Sequence, residues 1–120
     1  MAESVHGKIC YLEIPATDVE ASAKFYQEVF GWTVRPHPKG TLAFDDPAGL
    51  SGRWVTNRPP MEAPGVLFYI MVDSVAKAAN AVMKHGGDIV QRIGVDAPEI
   101  TARFKDPGGN IVGLYQEQKK

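Results

Sequence analysis

The segment Phe104-Lys105-Asp106-Pro107-Gly108-Gly109-Asn110 has a degenerate copy upstream, Phe44-Asp45-Asp46-Pro47-Ala48-Gly49, and this pair constrains the fold more than any other feature of the chain. Asp-Pro sets the first corner of a turn, and the glycine at its end supplies the positive φ that other residues resist. The apolar run Ile111 to Tyr115 after the second corner reads as a buried strand. Two such corners imply two similar units. With 120 residues the chain reads as a single domain, long enough for one sizeable core and short for two, so duplicated units must share it.

Taken in order, Lys8 to Pro15 alternates as a strand, with Ile9, Tyr11 and Glu13 on one face and Cys10, Leu12 and Ile14 on the other. Thr17 and Glu20 have capping-box spacing, Val19, Ala23, Tyr26 and Phe30 recur at helical intervals, and Gly31 is placed to close that helix. Three strands follow, around Trp32 to Val34, Thr41 to Phe44 and Leu50 to Thr56. The pattern then restarts. Val66 to Val72 is a near-continuous apolar strand, Asp73 can cap a helix whose inner stripe is Val75, Ala78, Ala79 and Val82, and Gly86-Gly87 ends it. Asp88 to Ile93, Ile100 to Phe104 and the run after Asn110 supply the remaining strands.

Numbering makes the duplication testable. Adding 56 carries Ile14 to Ile70, Thr17 to Asp73, Val19 to Val75, Tyr26 to Val82 and Gly31 to Gly87. Beyond the second strand the offset becomes 60, carrying Phe44 to Phe104, Asp46 to Asp106 and Gly49 to Gly109. The expected architecture is a βαβββ module at 7–57, a second at 66–117, and a proline-rich connector at 58–65 whose prolines favour extended backbone. The second module is longer by a loop around Val95 to Glu99.

Bulk properties narrow the partners. A net charge of -1 offers no general attraction to nucleic acid or to an anionic membrane surface. The single cysteine, Cys10, excludes an internal disulfide and a Cys-based zinc motif, and is expected as a small buried hydrophobe. The opening residues lack a signal-peptide pattern and no apolar run approaches membrane-spanning length, so the expectation is a cytoplasmic protein.

A doubled βαβββ unit with Phe-x-Asp-Pro-x-Gly before its last strand resembles the vicinal oxygen chelate superfamily, which includes glyoxalase I, extradiol dioxygenases and bleomycin resistance proteins. The resemblance runs from about Lys8 to Gln116. Its more specific pieces are Leu12 to Asp18 leading into Phe25-Tyr26-x-x-Val29-Phe30-Gly31-Trp32, and Asp106 to Asn110, which are most similar to a bacterial subgroup of short glyoxalase-like proteins. The resemblance implies an α+β fold in which two paired βαβββ modules form a curved mixed sheet with a central cleft, commonly in a homodimer that completes the sites.

Metal-dependent members of that superfamily place His or Glu ligands on the first and fourth strands of each module. Carried over by position, these fall at Tyr11, Leu67, Gly113 and Arg53. Leu and Gly bring no donor side chain and Arg brings a positive charge, so no metal and no other cofactor is expected. His6, His37 and His85 do not share the spacing of one ligand face.

Period-two counting puts Tyr11, Glu13, Arg53, Leu67, Tyr69, Met71, Gly113 and Tyr115 on the cleft face. Aromatic walls with one Glu and one Arg suit a small organic ligand, while the plainer reading pairs Glu13 with Arg53 or turns both to solvent. Glu13 is the candidate acid or base if burial raises its proton affinity. Gly113 would allow a ligand close to the strand. The expected function is metal-free binding of a small organic molecule, with sequestration, as in bleomycin resistance proteins, as one form of it. Two alternatives stand beside it: a lyase, isomerase or dioxygenase using Glu13 or a recruited metal, and a dimeric interaction module with a self-filled cleft.

Overall fold

The alternating and apolar stretches become eight strands and two helices among residues 5–38 and 40–118, the residues described in the computed structural model. In order they are β1 (Tyr11–Pro15), α1 (Val19–Phe30), β2 (Thr33–Pro36), β3 (Leu42–Asp45), β4 (Ser51–Val55), β5 (Tyr69–Met71), α2 (Val75–Lys84), β6 (Asp88–Gln91), β7 (Ile100–Lys105) and β8 (Ile111–Gln116). The fold is α+β, with the βαβββ unit present twice. The strands form two four-stranded mixed sheets, ordered β1-β4-β3-β2 and β5-β8-β7-β6. In each, the first strand pairs in parallel with the last, and the other pairs are antiparallel. Parallel pairing needs a long connection, which the helix and two intervening strands provide.

Strand register reproduces both numerical offsets. Glu13, Arg53, Ala43 and Arg35 are successive partners across the first sheet. Tyr69, Gly113, Arg103 and Gln91 are successive partners across the second. Position by position, the differences are 56, 60, 60 and 56. Hydrogen-bonded register thus fixes Arg53 as the counterpart of Gly113.

The two corners are built alike. Asp46 accepts from the backbone N–H groups of Ala48 and Leu50 at 2.8 and 2.9 Å, and Asp106 accepts from those of Gly108 and Asn110 at 3.0 and 2.9 Å. The closing glycines have φ of +98° at Gly49 and +93° at Gly109, a region open to glycine. Each helix is capped one residue later than the composition implies. Asp18, not Thr17, accepts from the Ala21 N–H at 3.1 Å, and Ser74, not Asp73, accepts from the Lys77 N–H at 3.2 Å. Both caps satisfy an orphan donor of the first turn. Adjacent oxygen-bearing residues compete for that role, and the point where the chain leaves the strand decides between them. Gly31 ends α1 with φ of 72°, as expected.

The helices share one core between the sheets. Phe25 and Phe30 of α1 each lie 5.7 Å from Phe104 of β7, ring centre to ring centre, while Tyr26 stacks on Trp32 at 4.6 Å. Ile14, Phe44, Trp54, Val75, Val82, Val112 and Leu114 complete it, all buried. Fully burying a side chain of this size contributes about 1.5–3 kcal/mol.

Two local expectations are corrected. Cys10 is exposed, because pairing begins only at Tyr11 and the preceding residues stand outside the ladder. The apolar run beginning at Val66 yields a strand only from Tyr69, with Val66 82% exposed. Pro64 and Gly65 bring the chain in off the sheet, so Val66 and Leu67 precede the first paired residue.

Candidate functional site

The edge strands β1 and β5, the connector and the second corner enclose a cleft of about 550 Å³. Leu12, Ile14, Leu50, Met61, Phe68 and Tyr69 supply apolar wall, with Glu13 and Asn110 as its polar members. The connector is held firmly at this place. The Met61 N–H donates to Asn110 Oδ1 at 2.8 Å, and the Met61 carbonyl accepts from the Ile111 N–H at 2.8 Å. Asn110 also donates to the Pro15 carbonyl at 2.7 Å, tying the second corner to the end of β1.

Of the eight expected cleft residues, Glu13 and Tyr69 line this cavity. The others lie elsewhere on the two faces. Tyr11 and Met71 are exposed on the edge strands, at 46% and 58%. Leu67 is half-buried and outside β5, so it does not continue the strand face. Arg53 Nε lies 3.2 Å from Glu13 Oε2, the pairing that the plainer reading of the sequence held open. Gly113 lies beneath the Tyr69 ring, whose atoms stand 2.4 Å from where a Cβ would be. The Tyr69 and Tyr115 rings meet edge to face at 6.5 Å, and the Tyr115 hydroxyl donates to Glu99 at 3.0 Å. That bond makes its proton harder to remove.

Arg58, from the connector, also donates to Glu13, on the other carboxylate oxygen. The two guanidinium groups, Arg58 foremost and then Arg53, hold the Glu13 carboxyl below its ordinary range. Glu13 is therefore an ionised partner at neutral pH, and its group carries a net positive charge. Sequence spacing carried no signal for Arg58, because a connector has no period from which to project a side chain. Met61 and Leu50 were equally hidden, one in the connector and one beside a turn.

Another concavity, of about 670 Å³, lies over the first corner and is lined by Arg35, Asp45 and Ser51. Its polar groups already satisfy one another: Arg35 Nε lies 2.9 Å from Asp45, and the Ser51 hydroxyl donates to Asp45 at 2.6 Å. The apolar seam is the better receptacle for an organic molecule, because its wall offers area that water serves poorly.

The four positions implied as metal ligands do not suit a divalent ion. Gly113 and Leu67 have no donor, Arg53 is cationic and already engaged by Glu13, and the Tyr69 ring fills the space in front of Gly113.

Paired βαβββ units around a seam cleft define the class of small α+β proteins to which comparison assigns this chain. Residues 8–44 match the family model described as bleomycin resistance protein-like N-terminal. A glyoxylase-like domain-containing protein of Didymella fabae is 35% identical over 118 residues, spanning 88% of this chain and 91% of that protein. The chain belongs to the glyoxalase/bleomycin resistance family of the vicinal oxygen chelate superfamily. Among solved structures, a glyoxalase/bleomycin resistance protein from Albidiferax ferrireducens superposes with a TM-score of 0.72 at 19% identity, covering 91% of this chain and 98% of that one. TnmS3, an antibiotic binding protein from a Streptomyces species, superposes with a TM-score of 0.71 at 24% identity, covering 97% of this chain and 100% of that one.

Proposed function

We propose that this chain binds a small organic molecule in the seam cleft, without a divalent metal. The observation that carries the reading is the cleft itself: about 550 Å³ with a mostly apolar wall drawn from both halves of the duplication. The likeness to an antibiotic binding protein supports the same direction. The lyase, isomerase or dioxygenase reading draws less support, since Glu13 is pinned between two arginines and is a weak base.

Met61→Trp tests this directly, because the larger ring would occupy the cleft. Calorimetric titration with a panel of aromatic organic molecules should give saturable binding to the native chain and at least tenfold weaker binding to the variant. Equal binding by both would reject the cleft as the site. Chelator-treated protein should bind as tightly as untreated protein, and restoration of binding only by added divalent metal would reject the metal-free reading.

Two further properties belong to the same proposal. Exposed Tyr11, Ile9 and Val66 flank the edge of the cleft, and a second copy of the chain covering them would form a homodimer. Sedimentation that shows only monomer at micromolar concentration would remove it. An exposed, unbridged Cys10 supports a cytoplasmic location, where thiols stay reduced. No helix among the described residues is long and apolar enough to cross a membrane.

A further inference from the structure

The geometry points to an anionic ligand, its carboxylate held by Arg103 on the face of the second sheet beside the cleft. This rests on the reading that the cleft takes an organic molecule, and it names the ligand's charge and the residue that meets it.

The two register rows distribute their cations differently. In the first sheet, Arg53 is paired with Glu13 and Arg35 with Asp45. In the second, the arginine has moved one strand over, to Arg103 on β7, opposite Gly113 on β8 and Gln91 on β6. Arg103 Nε is buried and has no hydrogen-bond partner. Nor does any ion pair or other hydrogen bond engage this guanidinium among the described residues.

The carboxylates on the neighbouring loop are committed elsewhere. Asp96 accepts from Thr101 and Gln91 at 2.6 and 3.2 Å, and Glu99 accepts from Tyr115 at 3.0 Å. A guanidinium N–H buried without an acceptor is costly, and a carboxylate is the group whose geometry matches that N–H together with the terminal nitrogens of this half-buried side chain.

Position connects this donor to the cleft. Tyr69 lines the cavity, and its ring lies over Gly113, which sends out no side chain of its own. The register runs Tyr69, Gly113, Arg103 on neighbouring strands. Two strand spacings amount to roughly 10 Å. Tyr69 is 41% exposed and its ring can swing outward, so an aromatic acid that displaces it can rest its ring in the apolar seam and extend its carboxylate across Gly113 to Arg103. The net positive Glu13, Arg53 and Arg58 group on the other side favours the same sign of ligand.

Calorimetric titration with three probes of one shape tests this: naphthoate, neutral naphthalenemethanol and cationic naphthylmethylammonium. Native protein should bind naphthoate at least tenfold more tightly than the other two. Arg103→Gln should bring naphthoate to within about twofold of the alcohol, Arg103→Lys should keep part of the preference, and Arg35→Gln should keep all of it. Thermal unfolding of each variant establishes that it is folded. Equal binding of naphthoate and alcohol to native protein would overturn the anionic assignment while leaving small-molecule binding intact. A naphthoate preference that survives Arg103→Gln but disappears in Arg58→Gln would place the anion at Glu13's arginines and overturn the role of Arg103. Binding of none of the three probes would overturn both readings.

Discussion

The Tyr26 hydroxyl donates to Asp106 Oδ2 at 2.8 Å, joining α1 of the first half to the corner of the second across 80 residues of sequence. The bond is buried, and Asp106 also accepts from the Asn110 amide and from the backbone N–H groups of Gly108 and Asn110. The duplication has no second such bond, since the counterpart of Tyr26 is Val82. Tyr26→Phe keeps the ring but leaves Asp106 short of a donor. We expect a loss of about 1–3 kcal/mol in urea unfolding, the cost of an unmet buried polar group. A change under about 0.5 kcal/mol would mean the bond does not join the halves energetically.

Asp106 also makes stability depend on pH. Burial, acting against those hydrogen bonds, raises its carboxyl above the ordinary value. The folded state therefore holds its proton more tightly than the unfolded chain. The resulting stabilisation is complete below the unfolded pKa and is lost as pH rises through the folded one. Urea midpoints of the native chain and Asp106→Asn, compared from about pH 3 to about pH 7, should show the native advantage shrinking as pH rises. A constant or growing advantage would reverse the assignment.

Glu13 should behave in the opposite sense. Arg58 and then Arg53 lower its carboxyl, so its contribution is present above the ordinary carboxylate value and disappears as pH falls through the folded pKa. Carbon NMR titration of the Glu13 carboxyl should show its midpoint rising in Arg58→Ala, and rising less in Arg53→Ala. The reverse order would show that Arg53 dominates.

Two glycines in equivalent sheets should respond differently to alanine. At Gly52 a Cβ would stand 2.0 Å from the Leu12 carbonyl oxygen and 2.4 Å from the buried Phe44 ring, neither of which has room to retreat. At Gly113 the obstacle is the ring of Tyr69, which is 41% exposed and can swing outward. Gly52→Ala should cost about 3 kcal/mol or more, and Gly113→Ala less than about 1.5 kcal/mol. In Gly113→Ala the displaced Tyr69 should also weaken ligand binding at the seam. Thermal unfolding and calorimetry on the same samples measure both effects.

Much of the architecture was legible because it repeats. The two Asp-Pro corners and Gly31 at the end of α1 are local patterns that the turns and the helix cap reproduce, and the offsets of 56 and 60 reappear in the register rows. Elements that depend on neighbours in space read less well. Thr17 and Asp18 are equally able caps, and only the path of the chain out of β1 chose Asp18. Val66 and Leu67 are as apolar as any strand, yet the turn before them keeps them off the ladder.

The amino-acid sequence by itself determined the doubled βαβββ plan, the family, and that Gly113 and Leu67 carry no donor side chain, since turn chemistry, periodicity and side-chain type are properties of single positions and short windows. Only the tertiary structure decided that Arg58 reaches Glu13 from the connector, that Met61 and Leu50 wall the cleft, that Tyr69 roofs Gly113, and that Arg103 Nε has no acceptor. Those are meetings between residues far apart in the chain, and no local pattern encodes which side chains a folded surface will bring together.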